Sequence, residues 1–129
     1  MNKLINPSDV RPPFASYSHA VVTPPGPRLL FTSGQLGISP DDKIPESVEE
    51  QAVICFENIG AILKEAGMTF QHVVRFSAFV TDRSYFPIYG KIRERYVGGS
   101  GYASTLLIVS GFTLPAFKIE VEVTAAMSD

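Results

Sequence analysis

From Phe117 to Ala125 apolar and polar positions alternate without a break. Phe117, Ile119, Val121, Val123 and Ala125 fall on one side, and Lys118, Glu120, Glu122 and Thr124 on the other. A period of two is the geometry of a β-strand with one face buried. Val74, Phe76, Ala78 and Val80 repeat the pattern against Arg75, Ser77, Phe79 and Thr81, and predict a second strand. Between these lies a helical rhythm: Ala52, Phe56, Ile59, Leu63 and Ala66 recur at steps of four and three. Ser47-Val48-Glu49-Glu50 is a capping box that starts this helix, and Gly67 stops it. A second helix is predicted from Tyr85 to Val97, after the turn Thr81-Asp82-Arg83-Ser84 and before the break Gly98-Gly99-Ser100-Gly101. Upstream, Tyr17 to Val22 and Arg28 to Ser33 read as strands of a hairpin about the turn Pro24-Pro25-Gly26-Pro27. Gly34 and Gly37 bracket Gln35-Leu36, which suggests a bulge or a close backbone approach.

These elements run in the order β-β-α-β-α-β-β, an α+β arrangement with two helices on one face of a sheet, expected as one domain over residues 1–129. The segment Ala103 to Val109, with Leu106, Leu107, Ile108 and Val109 consecutive, is apolar on both faces. Part of the sheet's far side therefore also needs cover, and identical subunits are the economical source. Composition sharpens that expectation. Hydrophobic residues make up 45% of the 129 positions and charged residues only 19%, a high apolar share for so short a chain.

Eleven basic and thirteen acidic residues give a net charge of −2, so a nucleic-acid partner is not expected, since phosphate binding needs a concentrated positive face. The densest basic run, Lys91-Ile92-Arg93-Glu94-Arg95, reads as the solvated side of a helix. Cys55 is the only cysteine, which excludes an internal disulfide, suggests a reducing compartment and reads as a small buried hydrophobe. His19 and His72 are too far apart for metal-ligand spacing, so no metal is expected. Met1 to Pro7 lacks the apolar run of a signal peptide, and no later segment is long and apolar enough to span a bilayer; a cytoplasmic protein without a membrane partner is expected.

Several short segments, in order, carry a family resemblance: Tyr17-Ser18-His19-Ala20, Phe31-Thr32-Ser33-Gly34-Gln35, Glu50-Gln51 with Glu57-Asn58-Ile59, Val73-Val74-Arg75 leading to Phe79-Val80-Thr81-Asp82, and Ile119-Glu120-Val121-Glu122. Over nearly its whole length the chain resembles the RidA/YjgF family. The resemblance implies a homotrimer with a chorismate-mutase-like fold, small-molecule pockets at subunit interfaces, no cofactor, and hydrolysis of reactive imines or enamines to a 2-oxo acid and ammonia. It also implies an arginine that clamps the substrate carboxylate, a glutamate that holds the attacking water, and a nearby Ser-Gly-Gln turn.

On that resemblance Glu120 matches the water-holding glutamate and is the candidate catalytic residue. Tyr17, Ser33, Gly34, Ser104, Thr105 and Leu106 are candidate substrate-binding residues. Three positions depart from the pattern: Ser104 stands where the family has its arginine, Gly90 where it often has asparagine, and His19 where it has glutamine. Arg28 and Arg75 are the candidates for a relocated anion clamp. Three functions follow in order: a RidA-like deaminase with a glutamate-held water, a non-catalytic small-molecule-binding trimer of the same fold, and, last, an endoribonuclease.

Overall fold

The computed structural model describes residues 2–128. Its main sheet is assembled around the C-terminal strand. The strands are β1 (Lys3–Ile5), β2 (Ala20–Val22), β3 (Arg28–Phe31), β4 (Gln35–Leu36), β5 (Val73–Val80), β6 (Ala103–Ile108) and β7 (Ile119–Met127), and the helices are α1 (Val48–Glu65) and α2 (Tyr85–Tyr96). Strand β7 pairs antiparallel with β3 and β4 on one side and with β5 on the other, and β5 pairs in parallel with β6, so the order is β3-β7-β5-β6 with β4 beside β7. A parallel pair needs a long crossover, and α2 supplies it.

The alternation in the closing segment is realised: Phe117, Ile119, Val121, Val123 and Ala125 are all buried. They meet Phe76, Ala78 and Val80 of β5 and the α1 stripe Ala52, Phe56, Ile59 and Leu63 in one core, with both helices on that face. The Ser47 hydroxyl accepts from the Glu50 N–H and caps α1, and Gly67 follows its end at φ 73. In β5 the register slips between Val73 and Arg75, so Val73 rather than Val74 takes the first inward position.

The expected hairpin of the two early strands does not form. Strand β2 pairs with β1 in a separate two-stranded sheet, while β3 pairs with β7. The proline-rich turn reverses the chain, but prolines donate no ladder hydrogen bonds and fix no register across it. Between β3 and β4 the chain leaves the ladder at Thr32, whose hydroxyl accepts from the Val123 N–H at 3.0 Å and keeps that donor satisfied.

Both bracketing glycines serve close approach. A Cβ on Gly37 would lie 2.4 Å from Cβ of Gln51, and one on Gly34 would lie 2.5 Å from the Glu120 carboxyl. Gln51, fully buried, is the pin between α1 and the entry to β7. Its amide donates to Pro45 O at 2.8 Å and Ala116 O at 2.9 Å, and its carbonyl accepts from the Lys118 N–H at 2.9 Å. Gln51→Ala strands these partners and opens a cavity, and is expected to cost about 3 kcal/mol of folding stability. Urea denaturation measures this; a loss below about 1 kcal/mol would show that the three bonds are not a structural pin.

Candidate functional site

The predicted site residues fall in two separate places within one chain. Strand register decides this, because directly paired residues share a face. Ser104 pairs with Phe76 and so faces the helices, as does Leu106 beside Ala78. Glu120 pairs with Phe79 and Leu36 and faces the far side, two strands away from β6.

On the helix side, Tyr17, Ser104 and Leu106 line a cavity of about 370 Å³ at the β6 edge. Phe14, Phe86 and Ile108 add apolar wall, so the pocket is greasy with few polar points, the usual composition of a small-molecule site. The Tyr17 hydroxyl accepts from the Phe14 N–H at 3.3 Å and holds the N-terminal loop against the mouth. That loop is anchored further by Ser18, whose N–H donates to Tyr102 O at 2.7 Å and whose hydroxyl donates to Ser100 O. His19 is exposed and its Nε2 lies 2.7 Å from Arg11 O, a structural position.

The same cavity holds a residue that sequence reasoning assigned to solvent. Within the basic run, Lys91, Glu94 and Arg95 are exposed as expected, but Arg93 is 3% exposed and points inward. Its position four residues after buried Tyr89 is the signal that separates it from its neighbours, since i and i+4 share a helix face. The guanidinium lies 5.4 Å from the centroids of both Tyr89 and Tyr102, and Nη1 donates to Ser104 Oγ at 3.3 Å. No carboxylate pairs with it among the described residues, and its Nε meets no hydrogen-bond partner. The Tyr89 hydroxyl lies near Arg93 and Ser104 but outside hydrogen-bond geometry, and burial pushes this phenol up to about 12, so it stays protonated.

Across the sheet, Ser33 and Gly34 form the turn beside Glu120. The carboxyl rests where a side chain on Gly34 would be. Its pKa is raised, first by burial and then by the neighbouring Glu122 charge. Thr105 also faces the far side, where its hydroxyl accepts from Arg75 Nη2 at 2.7 Å. Arg75 is thereby engaged away from the cavity, and Arg28 is held at the end of α1, donating to Ala66 O at 3.3 Å. Cys55 donates to Gln35 O at 3.2 Å, and burial, reinforced by Glu120, pushes the thiol up to about 12, which leaves it unreactive near neutral pH. Gly90, on α2, has open space around it. Among the described residues no cluster of three or more metal-ligating side chains occurs, and no helix is long and apolar enough to cross a membrane.

Comparison with known proteins agrees with this architecture. The family model described as endoribonuclease L-PSP matches residues 8–127. A RutC family protein of Aquifex aeolicus is 33% identical over 115 residues, covering 88% of this chain and 90% of the relative. A 2-iminobutanoate/2-iminopropanoate deaminase of Rattus norvegicus is 30% identical over 127 residues, covering 97% and 90%. Among solved structures, the Rid family protein YyfB from Yersinia pestis superposes with a TM-score of 0.86 at 28% identity over 98% of each chain.

The Glu120 environment sets a pH dependence. A raised folded-state pKa means that the native protein holds the proton more tightly than the unfolded chain, so this contribution is present at acid pH and is lost as pH rises through the folded pKa. Glu120→Gln, which carries no charge to desolvate, is expected to raise the melting temperature at pH 7 and to match the parent near pH 4. Thermal melts at the two pH values check this, and an equal shift at both would contradict it.

Proposed function

The chain belongs to the RidA/YjgF family of endoribonuclease L-PSP-type proteins, and from that premise we propose that it hydrolyses a small, reactive imine or enamine, with Glu120 holding the attacking water. The carrying observation is the Glu120 carboxyl resting against Gly34 with its pKa raised by burial and by the Glu122 charge. A carboxylate with such a pKa is a better base near pH 7 than an ordinary one. Relatives named 2-iminobutanoate/2-iminopropanoate deaminases support the same reaction class.

In this reaction the water oxygen bonds to the imine carbon while Glu120 accepts a water proton. The nitrogen is protonated, and the C–N bond of the resulting carbinolamine breaks. Ammonia leaves, a carbonyl forms, and the proton count closes without an external oxidant or reductant. On this reading backbone groups of the Ser33-Gly34 turn orient the water or the developing hydroxyl.

The separation of Glu120 from the Tyr17 and Ser104 cavity argues that a working site uses two chains of a homotrimer. One contributes the Glu120 side and the next the cavity side. Phe31 (71% exposed) and Leu107 (52% exposed) supply apolar surface for such a contact on the far face. A second reading, a binding trimer without chemistry, is favoured by Ser104 standing at the family's arginine position.

Ammonia release from enzymatically generated 2-iminobutanoate is the direct test. The parent is expected to accelerate it and Glu120→Ala to lose at least about 100-fold. No acceleration across a range of imines, or full activity in Glu120→Ala, sinks the deaminase reading; ligand-induced stabilisation without turnover would favour the binding reading. Light scattering on the purified chain is expected to give the mass of three copies, with Phe31→Asp/Leu107→Asp reducing it. A single-chain mass for the parent would remove the shared site.

A further inference from the structure

Arg93 is buried, charged and without an acidic partner among the described residues, and it stands in the wall of an apolar cavity. A guanidinium has five N–H donors in a planar fork, and here it makes one hydrogen bond, to Ser104, and lies against two tyrosines whose hydroxyls are near it but outside hydrogen-bond geometry. Nε has no partner. Buried arginines ordinarily sit on a carboxylate, because leaving such a charge unpaired in a low-dielectric site is unfavourable. The unmet valence is therefore an anion's, and the cavity is the open space from which an anion can reach it.

We infer that Arg93, delivered from α2, is the anion clamp of this cavity, and that the cavity selects carboxylic acids with an aromatic or branched apolar body. The inference rests on the deaminase reading only for the identity of the substrate, the imine of such a 2-oxo acid; binding itself is independent of turnover. Ser104 becomes intelligible on this basis. A small hydroxyl residue on β6 leaves room for the helix-borne guanidinium and fixes it through Nη1, where a second large cation at the same point would repel it. Tyr89 and Tyr102 hold the plane of the fork from its flanks. The body of the ligand meets Phe14, Phe86, Leu106 and Ile108; Arg83 also lines the cavity, but it is exposed to solvent, whereas Arg93 is buried in the wall. Neither Arg28 nor Arg75 is in the cavity wall.

Calorimetric titration of the full-length protein with phenylacetate, phenylacetamide and acetate separates the contributions. Phenylacetate is expected to bind at least tenfold more tightly than the neutral amide of the same shape, and more tightly than acetate. Arg93→Gln is expected to lose that preference while retaining amide binding, and Arg93→Lys to keep part of it, since a point charge replaces the bidentate fork. Equal affinity of the parent for acid and amide overturns the clamp whether or not the Arg93 variants fold, and so does unchanged phenylacetate affinity in a folded Arg93→Gln. Ammonia release that persists alongside either result leaves the deaminase reading standing, whereas Arg93-dependent acid binding without any imine turnover upholds the clamp and removes the deaminase.

Discussion

Every other part of the fold takes its position from the insertion of β7 between β5 and the β3/β4 edge. This strand is last in the chain and central in the sheet, so its pairings close long loops and must be repaid by burial. The repayment is visible on one face, where Ile119, Val121, Val123 and Ala125 lie under α1. Gln51 ties the helix to the strand's entry, and the glycine at 37 lets the two backbones come close enough for that tie. The opposite face of the same strand carries Glu120, so the strand that organises the core also fixes where that carboxyl sits.

Burial sets the chemistry of the groups around that frame in opposite ways. At Cys55 it silences a thiol, which is then simply part of the α1 packing. At Glu120, partial burial beside Glu122 raises the pKa of a carboxyl. At Arg93 the charge is cushioned by two tyrosine rings and one serine hydroxyl, with no carboxylate partner among the described residues.

Much of the fold was legible in one dimension. The period-two segment at the C-terminus, the α1 stripe with its Ser47 cap, and the close approaches at Gly34 and Gly37 are local or nearly local patterns, and local sterics and amphipathicity suffice to produce them. The order of the short motifs likewise pointed to the family, whose model matches residues 8–127. Three things were settled only by tertiary packing. Strand β2 paired with β1 and not β3, because a turn sets direction while partners are chosen by which edges remain open. Val73 displaced Val74 from the core, because the bulge that shifts register depends on the neighbouring strand. Arg93 went inside while Lys91, Glu94 and Arg95 stayed out, because charge along a sequence is a sum over neighbours, whereas burial on a helix depends on the direction each residue faces and on what waits there: two tyrosines, Ser104 and a cavity assembled from segments far apart in the chain.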